Sequence, residues 1–386
     1  MKALKWLVPV MAAAGIGMLA GCGSGAPDAA APAAGESPFA KLEHAATQGN
    51  SDAQVALGAL YATGNGVPKN APAAIAWWEK AAAEKNVAAE RNLGEMYAHG
   101  DGVPVDLDKA VTWFRQAVAQ EDPAAENDLG VMYAQGIGVP RDVDKAIELY
   151  QKSAAQRFAY AQNNLGWIYE HAEGVERDFA KAIDWYRKSA MQGFPMAQYN
   201  LGRMYAQGNG TDKDTAKAAQ WWQKAAALGD ADSETGLGLL YSQGDGVERN
   251  VVEAARLWQL AAAQGQAEAQ FNLGVSYARG SGVPADYAKA RAWLQKAAAQ
   301  GHVQAQRNLG LGYVEGVAGA APRDPVLAYA WLNLAAGQGD AQALKARTVL
   351  EGKMTPTQVV EAQKLSSSWV RGNILAHDAA MPPSAN

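Results

Sequence analysis

The stretch AQNNLGWIYEHAEGV, Ala161–Val175, lies between two near-copies of itself. Thirty-six residues earlier the chain reads AENDLGVMYAQGIGV (Ala125–Val139), and 36 residues later AQYNLGRMYAQGNGT (Ala197–Thr211). The frame A-[QE]-x-x-L-G-x-x-Y recurs well beyond these three. Leu-Gly pairs fall at 57/58, 93/94, 129/130, 165/166, 201/202, 237/238, 273/274 and 309/310, each 36 residues from the last. A tyrosine keeps the same register, from Tyr61 and Tyr97 through Tyr169 to Tyr277 and Tyr313. Composition alone does not produce such coincidence in two columns, so the chain is a tandem array.

Each period spells two helices. The first runs from about Asp52 to Tyr61 and stops at Gly64, a residue suited to the left-handed position after a helix. A G-x-G-V-P turn follows in most periods, as at Gly136–Pro140. Then Asn70, Asp106, Asp142, Asp178, Asp214, Asn250 and Asp286 each offer an oxygen to cap a second helix. That helix carries a small residue in register (Ala74, Ala110, Ala146, Ala182) and then a bulky pair, such as Trp77-Trp78, Trp113-Phe114, Trp185-Tyr186 and Trp221-Trp222. Small residues where helices cross, with aromatic rings in the gaps, suit close antiparallel packing. One pair cannot bury its own faces; stacked neighbours can. The fourth period departs from the pattern in having Ala172 where most have glycine, so its turn is expected to differ.

Net charge is −5 and the pI about 5.6, which provides no basic footprint for nucleic acid. The five histidines form no metal-binding spacing, and no nucleophile elbow or phosphate loop is present. The G-x-G turns follow helices rather than strands and repeat with the period, so they are turns. Glu170 and Glu173 around His171 make the densest local cluster, read as a solvated helix end. No catalytic residue, metal site or cofactor is expected.

The chain opens with MKALKWLVPVMAAAGIGMLAGCGSG. Lys2 and Lys5 precede an apolar run too short to span a bilayer, the pattern of a secretory signal over residues 1–21. Leu19-Ala20-Gly21-Cys22 resembles the bacterial lipobox, which implies that Cys22 is lipidated as the first mature residue. The next residue, Gly23, favours the outer membrane, so the expected location is its periplasmic face. Cys22 is the single cysteine, so no disulfide holds the fold. Residues 22–37, rich in Ala, Pro, Gly and Ser, read as a flexible tether. The array proper is assigned to 38–348, with FAKLEHAATQG (Phe39–Gly49) resembling a second helix without its partner. A capping helix is expected within 349–371, starting at Thr355-Pro356 and running to about Trp369, and a disordered tail over 372–386.

The whole frame, A-x-x-x-L-G-x-x-Y-x-x-G-x-G-V with an acidic cap, A-x-x-W and A-A-x-x-G, resembles the Sel1-like repeat, a relative of the tetratricopeptide repeat. The resemblance implies an all-α, right-handed α-solenoid of about eight 36-residue helix-turn-helix units with capping helices at both ends. It implies that the first helices line a concave groove and that a protein or peptide partner binds there, the chain itself being monomeric. An adaptor in an envelope or polysaccharide-export assembly is the leading expectation. An immunity protein that occludes a toxic enzyme, and a β-lactamase-like hydrolase, are the rivals.

Helix geometry suggests which residues would face that groove. Setting Leu165 at zero and advancing about 100° per residue places Ala161, Leu165 and Tyr169 on one stripe. Tyr160, Asn163, Trp167 and Glu170 then fall opposite it, between about 140° and 220°. The same columns in other periods hold Arg91, Glu95, Asn127, Met196, Tyr199, Arg203, Leu239, Phe271 and Arg307. Aromatics and arginine dominate binding energy at interfaces, so these residues are the expected binding strip. A second column, Asn92, Asp128, Asn164, Asn200, Asn272 and Asn308, either holds a peptide backbone or fixes neighbouring helices together.

Overall fold

The computed structural model describes residues 37–316 and 323–375. The signal segment 1–21, Cys22 and nearly all of the tether lie outside that range, as do residues 376–386. Over the described residues the chain forms nineteen helices and no strand. The first helices of the pairs are α2 (Ser51–Thr63), α4 (Val87–His99), α6 (Pro123–Gln135), α8 (Ala159–His171), α10 (Pro195–Gln207), α12 (Ala231–Gln243), α14 (Ala267–Arg279) and α16 (Val303–Glu315). Their second helices are α3 (Ala71–Ala83), α5 (Leu107–Ala119), α7 (Val143–Ala155), α9 (Phe179–Ala190), α11 (Thr215–Ala227), α13 (Val251–Ala263), α15 (Tyr287–Ala299) and α17 (Pro325–Gly337). Before them stands α1 (Pro38–Thr47), and after them α18 (Ala341–Glu351) and α19 (Pro356–Ser367). The chain divides into two compact units at Ser189/Ala190.

The Leu-Gly pair explains how each helix pair closes. Leu57, Leu93, Leu129, Leu165 and Leu201 are buried. The glycine beside each lets the second bulky residue of the facing helix lie on bare backbone. A Cβ on Gly94 would sit 2.6 Å from the Phe114 ring, on Gly166 2.6 Å from Tyr186, and on Gly202 2.5 Å from the Trp222 indole nitrogen. Where the ring is an indole, its N–H also donates across the pair: Trp78 to the Val55 carbonyl (3.1 Å), Trp222 to that of Tyr199 (3.1 Å), and Trp258 to that of Thr235 (3.2 Å).

The recurrent tyrosine pins the turn. Its carbonyl accepts from the backbone N–H of the residue that caps the second helix, as in Asp142 to Tyr133, Asp178 to Tyr169 and Asp214 to Tyr205. The capping carboxylate accepts from the backbone three residues on and pairs with that residue's lysine, which lies over the tyrosine ring. Asp178, Lys181 and Tyr169 form one such set; Asp286, Lys289 and Tyr277 form another. Successive pairs are joined by glutamines: Gln162 Nε2 donates to the Ala154 carbonyl (3.2 Å), and Gln306 Nε2 to that of Ala298 (3.1 Å).

Two expectations need correction here. The turn after α8 does not differ from the others: Ala172 takes the left-handed conformation (φ 59°) that Gly136 and Gly208 take elsewhere. The Tyr169–Asp178 hydrogen bond and the Glu173 N–H to Ile168 carbonyl bond hold the loop in that path. At its other end α8 begins at Phe158 with no side-chain cap, whereas Asn86 and Asp122 cap α4 and α6. The second correction concerns the C-terminal segment. The last helix ends at Ser367, and Trp369 beyond it donates its indole N–H to the Asn373 carbonyl (2.7 Å). Residues 372–375, expected to begin a disordered tail, instead dock on the end of α15. The Gly372 N–H donates to the Ala299 carbonyl, the Arg371 side chain to that of Gln300, and Leu375 is buried with Trp331 and Leu350.

Candidate functional site

In the first unit the first helices α4, α6 and α8 lie side by side. The Arg91 guanidinium on α4 donates to Asp122, the N-cap of α6 (2.9 Å), and Asn164 Nδ2 on α8 donates to Asn127 Oδ1 on α6 (2.9 Å). Between α6, α7 and α8 a cavity of about 220 Å³ opens, walled by Val131, Ala134, Val143, Ile168, Tyr150 and Trp167. Gln135 and Asn164 provide its polar lining, and Arg141 and Glu173 pair beside it (2.6 Å). Trp167 is 39% exposed and stacks on His171, with ring centroids 4.5 Å apart.

The predicted residues divide sharply. Trp167 is open to solvent, and Tyr160 is half-buried with its ring 5.4 Å from that of Phe158. Asn163 and Glu170, placed on the same open face by the helix wheel, are buried. The reason lies on the wheel itself. Gly166, at about 100°, is where Tyr186 of α9 packs, and Glu170, at about 140°, accepts the Tyr186 hydroxyl (2.8 Å). The helix's own partner therefore claims the flank at about 100–140°, and Trp167, at about 200°, lies beyond it. Asn127 and Glu95 are buried as well, and Arg91 is half-buried between Asp122 and Glu95.

The densest polar feature of this unit is therefore internal. Neither Glu95 carboxylate oxygen has a protein donor, and neither does Asp128 Oδ2; Asp128 Oδ1 accepts from Asn127 Nδ2 (3.0 Å). Burial pushes the Glu95 carboxyl up to about 8, with the Asp128 charge adding and Arg91 opposing. Burial likewise raises Asp128 to about 7, against the Asn127 hydrogen bond and Arg91. Asp128 and Tyr150 were absent from the predicted strip. The signal for Asp128 was present, since it is the one acid in a column of asparagines.

In the second unit Met196, Leu239 and Leu311 are exposed. Tyr199 is half-buried with its ring stacked near Trp222, and Phe271 is half-buried and stacked on His302 (4.6 Å). Arg203 is half-buried, and Arg307 is tied to Asp340 (2.7 Å). Of the recurrent asparagines, Asn164 bonds the neighbouring helix, the structural alternative for that column. The acid–histidine cluster around His171 disperses: Glu170 turns inward, Glu173 goes to Arg141, and His171 lies on Trp167. Among the described residues no three potential ligands converge on a metal position.

A family profile described as Sel1 repeat matches residues 51–86, 87–122, 123–158, 159–194, 195–230, 231–266, 267–302 and 303–340. Among solved structures, a Sel1 repeat protein from Oxalobacter formigenes is 33% identical, covering 81% of this chain and 90% of its own, with a TM-score of 0.59. A protective antigen present in uropathogenic Escherichia coli strains, displaying an SLR fold, is 30% identical over 89% of this chain and 90% of its own, with a TM-score of 0.43. An immunity protein from Pseudomonas aeruginosa is 23% identical over 62% and 81%, with a TM-score of 0.33, a likeness too slight to bear on function. No match was found among curated proteins.

Proposed function

The chain belongs to the Sel1 repeat family, and on that premise we propose that it is a lipid-anchored periplasmic scaffold that holds a partner protein against its first helices. Proteins built of this repeat are generally protein-interaction scaffolds. The observation that carries the reading here is Trp167, a large aromatic left 39% exposed at the wall of a 220 Å³ cavity. Aromatic anchors beside preformed cavities are where interface energy concentrates. Trp167→Ala should weaken partner binding by about 2 kcal/mol or more, the size of a hot spot. The same change should lower stability by about 1–2 kcal/mol, below the roughly 3–5 kcal/mol of a fully buried aromatic. Binding measured on a pulled-down partner, beside a denaturant melt, checks both. Undiminished binding, or a stability loss of core size, would refute the assignment.

Attachment to the membrane is assigned to Cys22. Among the described residues no helix is long and apolar enough to cross a bilayer. The lipobox-like Leu19-Ala20-Gly21-Cys22 after a signal-type segment supports the anchor. Several acyl chains on one residue anchor firmly where one does so only marginally. Cys22→Ala should move the protein from the membrane pellet to the soluble fraction, and retention in the pellet would exclude the lipid.

A further inference from the structure

Glu95 of α4 and Asp128 of α6 are buried acids that make no hydrogen bond from one repeat to the next. Three carboxylates, those of Glu95, Asp122 and Asp128, face one guanidinium, that of Arg91. Asp122 is committed, since it caps α6 through the Ala125 N–H (2.8 Å) and takes Arg91 Nη1 (2.9 Å). Arg91 Nε lies 3.9 Å from Glu95 Oε1, outside hydrogen-bonding reach, and has no partner of its own. Three carboxylate oxygens are left over: both of Glu95 and Oδ2 of Asp128, on side chains 2% and 1% exposed.

Leaving such acceptors empty inside a protein costs about 1–3 kcal/mol each. A structural carboxylate is normally spared that cost by a donor from its own chain. The other oxygen of Asp128, Oδ1, is linked by hydrogen bonds to the cavity wall. Asp128 accepts from Asn127, Asn127 accepts from Asn164, and Asn164 lines the cavity beside Trp167.

We propose that Glu95 and Asp128 receive a cationic side chain, a lysine or an arginine, of the bound partner, so that the segment held on this face is basic. The inference rests on the reading that the first-helix face binds a protein. An ammonium group brings three donors and no acceptor, which matches three unpartnered oxygens. The charge also matches, because the cluster in its ionised form is two positive charges short. For the cation to reach these oxygens, the Arg91 side chain, 19% exposed, has to move aside. An apolar residue of the same segment then fills the cavity against Trp167. The partner is thus recognised by a basic residue and an apolar one in sequence, over the width of α4 to α8.

The test uses the full chain in detergent, panned against a library of random peptides of about twelve residues displayed on phage. Enriched sequences should share a lysine or arginine. A synthetic copy should bind at least about tenfold more weakly once that residue becomes norleucine or citrulline, as for a lost charged hydrogen bond. On a Glu95→Gln/Asp128→Asn variant, checked by melting to be folded, the two peptides should bind alike. Enriched peptides indifferent to the neutral replacement would overturn the acid site and leave the binding face intact. So would a folded variant that keeps its preference for the charged peptide. A library that enriches nothing, or only peptides whose binding ignores Trp167→Ala, would overturn the binding face itself.

Discussion

Gly166→Ala should destabilise the protein by about 3 kcal/mol, more than any substitution of similar size on the exposed surface. The added methyl would lie 2.6–2.7 Å from two carbons of the Tyr186 ring and 3.0 Å from a third. Tyr186 has nowhere to retreat: its ring is fully buried, and its hydroxyl is bonded to buried Glu170. Overpacking a core of this density costs about 1–3 kcal/mol, and breaking the hydroxyl bond adds about 1 kcal/mol or more. Gly312→Ala is the control. Gly312 also lies within a first helix, α16, but an added Cβ there would meet nothing within 4 Å. That change should be neutral or stabilise by up to about 1 kcal/mol, the ordinary gain of alanine over glycine in a helix. Urea melts of the two variants should therefore move in opposite directions. Equal shifts would mean that the glycine column serves something other than ring packing.

The second large effect concerns pH. Glu95 and Asp128 are raised by burial to about 8 and about 7, from 4.5 and 3.8. The folded chain then holds protons that the unfolded chain has released. Their contribution to stability is fully present below about pH 4 and is lost as pH rises through 7 and 8. Each group lowers stability by up to about 1.4 kcal/mol per pH unit across its own window. Glu95→Gln/Asp128→Asn removes those titrations while keeping the shapes. The variant should melt higher than the parent above pH 8, and the gap should close toward pH 4. Arg91 and Asp122 remain in both proteins, so the difference between the two curves isolates the pair. A variant less stable than the parent at every pH would show that the ionised acids are held by donors, contrary to the geometry.

Much of this architecture can be read directly from the chain. The Leu-Gly-x-x-Tyr register requires a glycine against a bulky side chain and a tyrosine carbonyl over a turn, and both contacts form. Capping acids such as Asp142 and Asp214 are legible because a cap needs only its own helix. The site was less legible for a physical reason. A wheel gives the angle of a side chain but not what stands at that angle. For Glu170 the neighbour is Tyr186, sixteen residues on. For Glu95 the neighbours include Asp128, from the next repeat. Trp167, Val131 and Glu95 share one column, yet the first is exposed and the other two are buried. Ala172 misleads in the opposite sense, because hydrogen bonds around the turn impose a conformation that its residue type disfavours.

Helix α8 is the least well fastened of the first helices in its unit. It starts without a polar cap at Phe158 and ends on a left-handed alanine, a conformation that costs an L-residue about 1–2 kcal/mol over glycine. Fraying is an equilibrium, and its population rises about tenfold for each 1.4 kcal/mol withdrawn from the closed form. The C-terminal end of α8 carries Trp167, which walls the cavity, and His171, stacked on it. That wall therefore frays more often than it would with a glycine at position 172.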